Sequence, residues 1–238
     1  MEAKRLVAHA LTNWRECGSD DQVAQLLKFL SILNRVMGLH EEGIGRAKEA
    51  IEIFERLGDT RKLVECLTVI ADLFRGDQKL EAAEEAALRA LNLSSGRGWE
   101  SRLCDSHRVL SYIYQPKGET EKAIHHSGTL IGIASVFGWK FHLFRAHVSL
   151  SHVFREEGRL EDAKTHVERA KSQADSAYQL AYVMTLQAGF FSRQGRFEEA
   201  KSELLRAISA FEKLVATVDV EHCREVLTKQ LNVEVSSS

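Results

Sequence analysis

Apolar positions along this chain recur with helical spacing, and the helical stretches themselves recur. Residues 98–126, shifted by forty, fall on 138–166 with ten identities in twenty-nine positions. Gly98-Trp99 meets Gly138-Trp139, Leu103 meets Leu143, His107 meets His147, and Leu110-Ser111 meets Leu150-Ser151. Gly118, Glu121, Ala123 and His126 meet Gly158, Glu161, Ala163 and His166. The frame runs upstream by forties through Gly58, Leu63, Ile70, Ala71 and Phe74 to Gly18, Val23, Leu30 and Ser31. Downstream by thirty-seven it reaches Ala188, Phe191, Gly195 and Ala200, so five copies are visible. A repeat of this length cannot bury its apolar face alone and must stack on its neighbours. The spacing predicts helices over 2–16, 20–37, 44–57, 60–75, 80–94, 99–115, 119–136, 139–156, 160–173, 176–193, 197–214 and 218–231.

Each copy holds two helices. In the first, a small residue (Ser31, Ala71, Ser111, Ser151, Ala188) precedes by three positions a larger one, usually aromatic (Asn34, Phe74, Tyr114, Phe154, Phe191). That spacing keeps both on one helix face. A turn with glycine follows, as in Lys117-Gly118-Glu119, Glu157-Gly158-Arg159 and Gln194-Gly195-Arg196, where glycine suits the left-handed residue that ends a helix. The second helix opens with alanine (Ala47, Ala83, Ala123, Ala163, Ala200) and carries a second column seven residues on (Phe54, Ala90, Leu130, Ala170, Ala207). Helices joined by so short a turn must cross closely, and a bulky side chain at the crossing would hold them apart. Acidic residues open the second helices (Glu119, Glu121, Glu161, Asp162, Glu198, Glu199), and Arg56 and Lys171 close two of them, as the helix dipole favours.

The segments Gly195-Arg-Phe-Glu-Glu-Ala200 and Gly158-Arg-Leu-Glu-Asp-Ala163, with small-then-aromatic first helices, resemble the tetratricopeptide repeat over residues 20–215. The unit is longer than that family's usual one and is similar to its long-repeat subclass. The terminal proline of the family pattern is missing, and the first copy departs at Gly38–Gly45, read as an inserted stretch. The resemblance implies an all-α fold: a right-handed α-α superhelix, or solenoid, of about five helix pairs. It also implies a recognition surface on the concave face, lined by the first helices.

The ends read differently from the middle. Trp14 and Gly18 align with Phe54 and Gly58, so residues 1–17 are expected to be a half-repeat, with Leu6, Val7, Ala10, Leu11 and Trp14 as its apolar stripe. Either the chain is cut from a longer array or this helix is a cap. Residues 18–215 form the expected array. Residues 216–238 are expected to be a capping helix, with Val220, Cys223, Leu227 and Leu231 on one face, followed by a frayed tail.

Composition narrows the function. Apolar residues make up 44% of the 238 and charged residues 28%, a globular balance. A net charge of −2 offers no cationic excess for nucleic acid or anionic membrane. No apolar run is long enough to cross a bilayer, and the start lacks the apolar core of a leader peptide. Cys17, Cys66, Cys104 and Cys223 show no zinc or CxxC spacing. Together these predict a reduced, intracellular, cytoplasmic protein.

Candidate chemistry is sparse. His107 and His147 recur with the repeat, which points to packing. His142, His147 and His152 are five apart, not four, so they do not share the face a metal needs. Pairs such as Glu84-Glu85 and Glu198-Glu199 read as solvated helix faces. No phosphate loop or nucleophile elbow is present. Neither catalysis, a cofactor nor a metal is expected. Trp99 and Trp139 read either as packing at the joints between repeats or as aromatic anchors for a partner.

Projected through the frame, the residues expected on the concave face are Lys28, Ile32, Arg35, Asp72, Arg75, Arg108, Tyr112, Gln115, Arg145, His152 and Arg155. The balance is basic, with Asp72 the one acid. The expected partner is therefore another protein or peptide, extended or helical and acidic in character, held by arginine forks and Tyr112. A Lys-Asn carboxylate clamp is not present. Two rivals stand beside this reading: a sensor segment of a larger signalling protein such as a signalling ATPase, and a scaffold that self-associates through the N-terminal helix.

Overall fold

The computed structural model describes residues 9, 11–16 and 18–231. Among them every regular element is an α-helix, and each connection is a short turn. The chain divides into two compact units, Met1–Lys117 and Gly118–Ser238. No described helix is long and apolar enough to cross a membrane.

The first unit holds α1 (Asp20–Val36), α2 (His40–Leu57), α3 (Thr60–Gly76), α4 (Leu80–Ser94) and α5 (Glu100–Tyr114). Each packs against the next, and α1, α3 and α5 also touch in sequence. The second holds α6 (Thr120–Phe137), α7 (Lys140–Glu156), α8 (Leu160–Gln173), α9 (Ala177–Arg193), α10 (Phe197–Lys213) and α11 (Thr217–Leu231), again packed in order, with α7 against α9.

The small columns lie where the helices cross. Ala47, Ala83, Ala123, Ala163 and Ala200 are all buried, as are Phe54, Ala90, Leu130, Ala170 and Ala207. Ser31, Ala71, Ser111, Ser151 and Ala188 are buried too. The serines spend their hydroxyls on their own helices, Ser31 donating to the Leu27 carbonyl at 2.8 Å and Ser151 to that of Val148 at 2.8 Å, so a polar atom sits in a tight crossing without a lost hydrogen bond.

The turn within each pair is one motif. The left-handed residue is Gly38, Gly118, Gly158 or Gly195, with φ near 70°. In the second pair Gln78 takes the same place at φ 60°, and Val215 adopts φ 55° after α10. The hydrogen bonds repeat with the conformation: Leu39 N–H donates to Asn34 C=O, Lys79 to Phe74, Arg159 to Phe154 and Arg196 to Phe191.

One expectation fails at the first turn. The stretch Gly38–Gly45 is not an insertion: α2 begins at His40 and contains both Gly43 and Gly45. Gly43 is there because a Cβ would come 2.7 Å from the Leu73 side chain and 3.2 Å from Asn34 Cβ. The glycine marks close approach of α1, α2 and α3 and not a break.

Most of the expected N-terminal half-repeat, including Leu6, Val7 and Ala10, lies outside the described residues. Residues 11–16 are helical; Leu11 packs on the first core cluster and Trp14 is 41% exposed. At the other end Val220, Cys223 and Leu227 of α11 are buried in the cluster built on α9 and α10. Cys66, Cys104 and Cys223 are unpaired and buried; burial pushes the first two thiols up to about 12 and the third to about 11, leaving them unreactive.

Candidate partner-binding faces

In the first unit, α1, α3 and α5 form a groove that gathers Lys28, Ile32, Arg35, Asp72 and Arg108, together with Glu65, Thr68, Arg102 and Asp105. Its charges are joined in a ladder. Lys28 pairs with Glu65, which Arg102 also reaches at 2.6 Å. Arg102 bonds Asp105 at 3.2 Å. Arg108 sends both terminal nitrogens to one Asp72 oxygen at 3.2 Å each, and Arg75 stands 3.7 Å from the other. Burial works against the Arg108 charge, but Asp72 and Asp105 outweigh it and hold its pKa above the ordinary value. Tyr112 lies under the Arg75 guanidinium at 5.8 Å, and Gln115 donates to the Ser111 carbonyl. The basic excess read from the sequence is thus met in this unit by Glu65 and Asp105. Both were legible in principle: they stand eighty and forty before Arg145, in its own repeat column.

In the second unit, α7, α9, α10 and α11 enclose a pocket of ≈ 320 Å³. Of the residues expected here, His152 and Arg155 line it; the sequence reading missed Tyr182, Gly189, Arg193, Asp219 and His222. Arg155 donates to His152 Nδ1 at 3.2 Å and contacts Glu156 at 3.2 Å, while Arg193 bonds the other Glu156 oxygen at 2.5 Å. Gly189 makes this arrangement possible, because a Cβ there would strike the Arg155 guanidinium. It occupies the column of Ile32, Asp72, Tyr112 and His152, so the frame pointed at it, but a missing side chain gave no chemical signal. Burial, then the positive charges of Arg155 and Arg145, push His152 down to about 3, so the ring is neutral. Tyr178 donates to Asp219, one of the lining residues, at 3.1 Å.

Away from this pocket, His147 and His166 meet across α7 and α8 with Nδ1 atoms 3.0 Å apart, and His166 stacks on Phe154. Burial, His166 and Arg169 take His147 down to about 4. His147 is therefore a packed, neutral group, and its repeat equivalent His107 is likewise buried. Among the described residues no cluster of three or more His, Cys, Asp or Glu could hold a metal. Trp99 is half-buried against the first core cluster, whereas Trp139 stacks on exposed Phe137 with ring centres 4.6 Å apart.

No family model matches the sequence, and no curated protein matches it. Solved structures do match in fold. Aspartyl phosphate phosphatase F from Bacillus subtilis superposes with a TM-score of 0.71 at 14% identity, covering 99% of this chain and 68% of that one. A Rap protein complexed with Competence and Sporulation Factor gives 0.70 at 15% identity, covering 95% and 68%. A thermophilic TPR protein of Thermus thermophilus gives 0.52 at 19% identity, covering 80% and 97%. The chain has a tetratricopeptide-like fold. In these terms α1, α3, α5, α7 and α9 are first helices of tetratricopeptide-like pairs; the groove of the first unit is made by first helices, and the pocket of the second also takes in α10 and α11.

Proposed function

We propose that this tetratricopeptide-like chain is a non-catalytic interaction scaffold. It takes an extended peptide or partner helix on its first-helix faces and seats an acidic group of that partner in the pocket of the second unit. The observation that carries this reading is the Arg155 guanidinium, laid over Gly189 of α9 in a pocket also lined by Arg193 and His222. A preorganised guanidinium fork is suited to a carboxylate, because less rotamer freedom is lost on binding. Arg155 and Arg193 already meet Glu156, but that carboxylate is 58% exposed and can yield to a partner's, whereas the Asp72 partner of Arg108 is 6% exposed; the groove of the first unit therefore contributes shape and the Tyr112 ring. The unpaired, buried thiols support an intracellular setting. A sensor role is the second reading: the pocket suits a short effector better than a helix, and a Rap protein of the same fold was solved with Competence and Sporulation Factor.

A displayed library of random peptides, panned against the whole chain, tests the proposal. Enriched peptides are expected to carry Asp or Glu, and the R155A/H222A double variant should bind them at least about tenfold more weakly, a loss of about 1.4 kcal/mol. Enrichment of basic peptides, or unchanged affinity in the double variant, would overturn the acid seat.

A further inference from the structure

The helices of the second unit alternate in direction, so the turns from α6 to α7, from α8 to α9 and from α10 to α11 lie at one end of it. Tyr178, at the start of α9, ties two of them together: it donates to Asp219 of α11, and its ring lies 5.4 Å from that of Phe211 in α10. That end is apolar. Val136, Phe137 and Phe141 are exposed at the first turn, at 81%, 49% and 53%. Tyr178 and Leu180 are exposed at the second, and Leu214, Val215 and Val218 at the third. The opposite end, made by the turns from α7 to α8 and from α9 to α10, is charged. Glu156, Arg159, Arg193 and Arg196 are half exposed there. Phe197 is the one large apolar side chain exposed at that end among the described residues.

The fold does not require the apolar end. Forty residues back, the counterparts of Val136, Phe137 and Phe141 are Gly96, Arg97 and Ser101. Val215 holds φ 55° in the place that Gly58 and Gly138 fill at the equivalent turns. The same backbone bond marks that place, Ala216 N–H donating to Phe211 C=O as Trp139 does to Ala134. A Cβ on Gly138 would meet no atom within 4 Å, so a side chain at this position reaches into open space. Left-handed backbone is costly for a β-branched residue, and strain of this kind collects where function uses it. Neighbouring pairs of a helical stack lie beside these helices and leave their ends open. The local charges indicate what meets this end. Each turn carries one exposed lysine beside its apolar tip, Lys140, Lys171 and Lys213, and none of the three is in an ion pair. Glu212 is taken by Arg224 at 3.0 Å and Asp219 by Tyr178, which leaves Asp175 as the free carboxylate at these turns. The chain's net charge of −2 conceals this local cationic excess, and no acid occurs between Lys122 and Arg155.

We infer that this end of the second unit docks on a lipid surface that bears anionic headgroups. The aromatic and branched tips enter the boundary between headgroups and acyl chains, and the lysines meet the phosphates. The tips are separate projections with backbone between them. A fluid interface accommodates such a surface, whereas a protein partner would have to match it socket by socket. None of these apolar side chains lines the pocket of the proposed acid seat, so either reading can fail alone.

Co-sedimentation of the whole chain with vesicles tests this. The wild-type chain should bind mixed phosphatidylcholine–phosphatidylglycerol vesicles, and pure phosphatidylcholine more weakly. V136S/F141S and K140E/K213E should each lower partitioning into the mixed vesicles at least about tenfold, with unchanged helical circular dichroism spectra. V215G should weaken vesicle binding while it raises the melting temperature, a combination that a structural role for Val215 would not produce. A wild-type chain that ignores both kinds of vesicle overturns the inference, as does binding that V136S/F141S leaves intact. Equal binding to the two compositions overturns the part given to the lysines. A chain that ignores vesicles but forms a dimer that V136S/F141S dissolves assigns this end to a second copy instead.

Discussion

The two units are built from the same repeat and bury different polar groups on their first helices. In the first, the groove is crowded with full charges that neutralise one another: Arg108 with Asp72, Arg102 with Glu65 and Asp105, Lys28 with Glu65. In the second, the comparable helices carry buried histidines held neutral, His152 near 3 and His147 near 4, and their ion pairs, Arg155 and Arg193 on Glu156, lie at an exposed carboxylate. One repeat column shows the change directly: Glu65 and Asp105 in the first unit become Arg145 and Tyr182 in the second. A shared backbone frame fixes where a side chain stands and leaves its charge free to vary. The consequence is that the first unit should depend on its ion pairs, and the second on the absence of protons.

The largest effect expected is from R108A. Asp72 is only 6% exposed and would lose its bidentate partner, so the first unit should be destabilised by about 3 kcal/mol. Hydrogen exchange should place the loss in α3 and α5; a change spread evenly through α7 to α11 would break the distinction. Next comes acid. The unfolded chain protonates its histidines near pH 6.5, whereas folded His147 resists until about pH 4. Between those values the unfolded state binds more protons, so stability contributed by this group is complete above pH 6.5 and lost as pH falls toward 4. The loss from this group should approach roughly 2–3 kcal/mol, in α7 and α8, and H147F should reduce the pH slope in chemical denaturation series at pH 7 and pH 5, with His152 and His166 keeping the remainder. A pH slope unaffected by H147F would contradict the neutral-histidine account. The smallest effects are gains. Val215 and Gln78 hold left-handed backbone where other copies use glycine. V215G should stabilise the second unit by about 1 kcal/mol and Q78G the first by about half that, since the β-branched residue is the more strained. Melting temperatures that fall in both would show that these side chains contribute contacts that outweigh strain.

The periodic small columns were legible because a close helix crossing admits few residue types, and each copy had to meet the same requirement. The same reasoning set Lys28, Arg35, Asp72, Arg108, His152 and Arg155 on a single face; the structure gathers the first four in one groove and the last two in a separate pocket. The reasoning miscounted the charge of the first groove because it read Arg145 without reading Glu65 and Asp105 in the same column. It also treated Gly43 as a break. A glycine inside a helix and a glycine that ends one look alike in sequence, and only the Leu73 side chain pressing on α2 tells them apart.

The sequence by itself determined that helices pair, where they cross and which turns need a left-handed residue, since those are short-range constraints that repeat five times. The tertiary structure decided which charges meet. Ion pairs such as Arg108 with Asp72, and the room that Gly189 leaves for Arg155, join residues more than thirty positions apart. Such contacts depend on the distance between neighbouring first helices, and no periodicity along one chain encodes that distance.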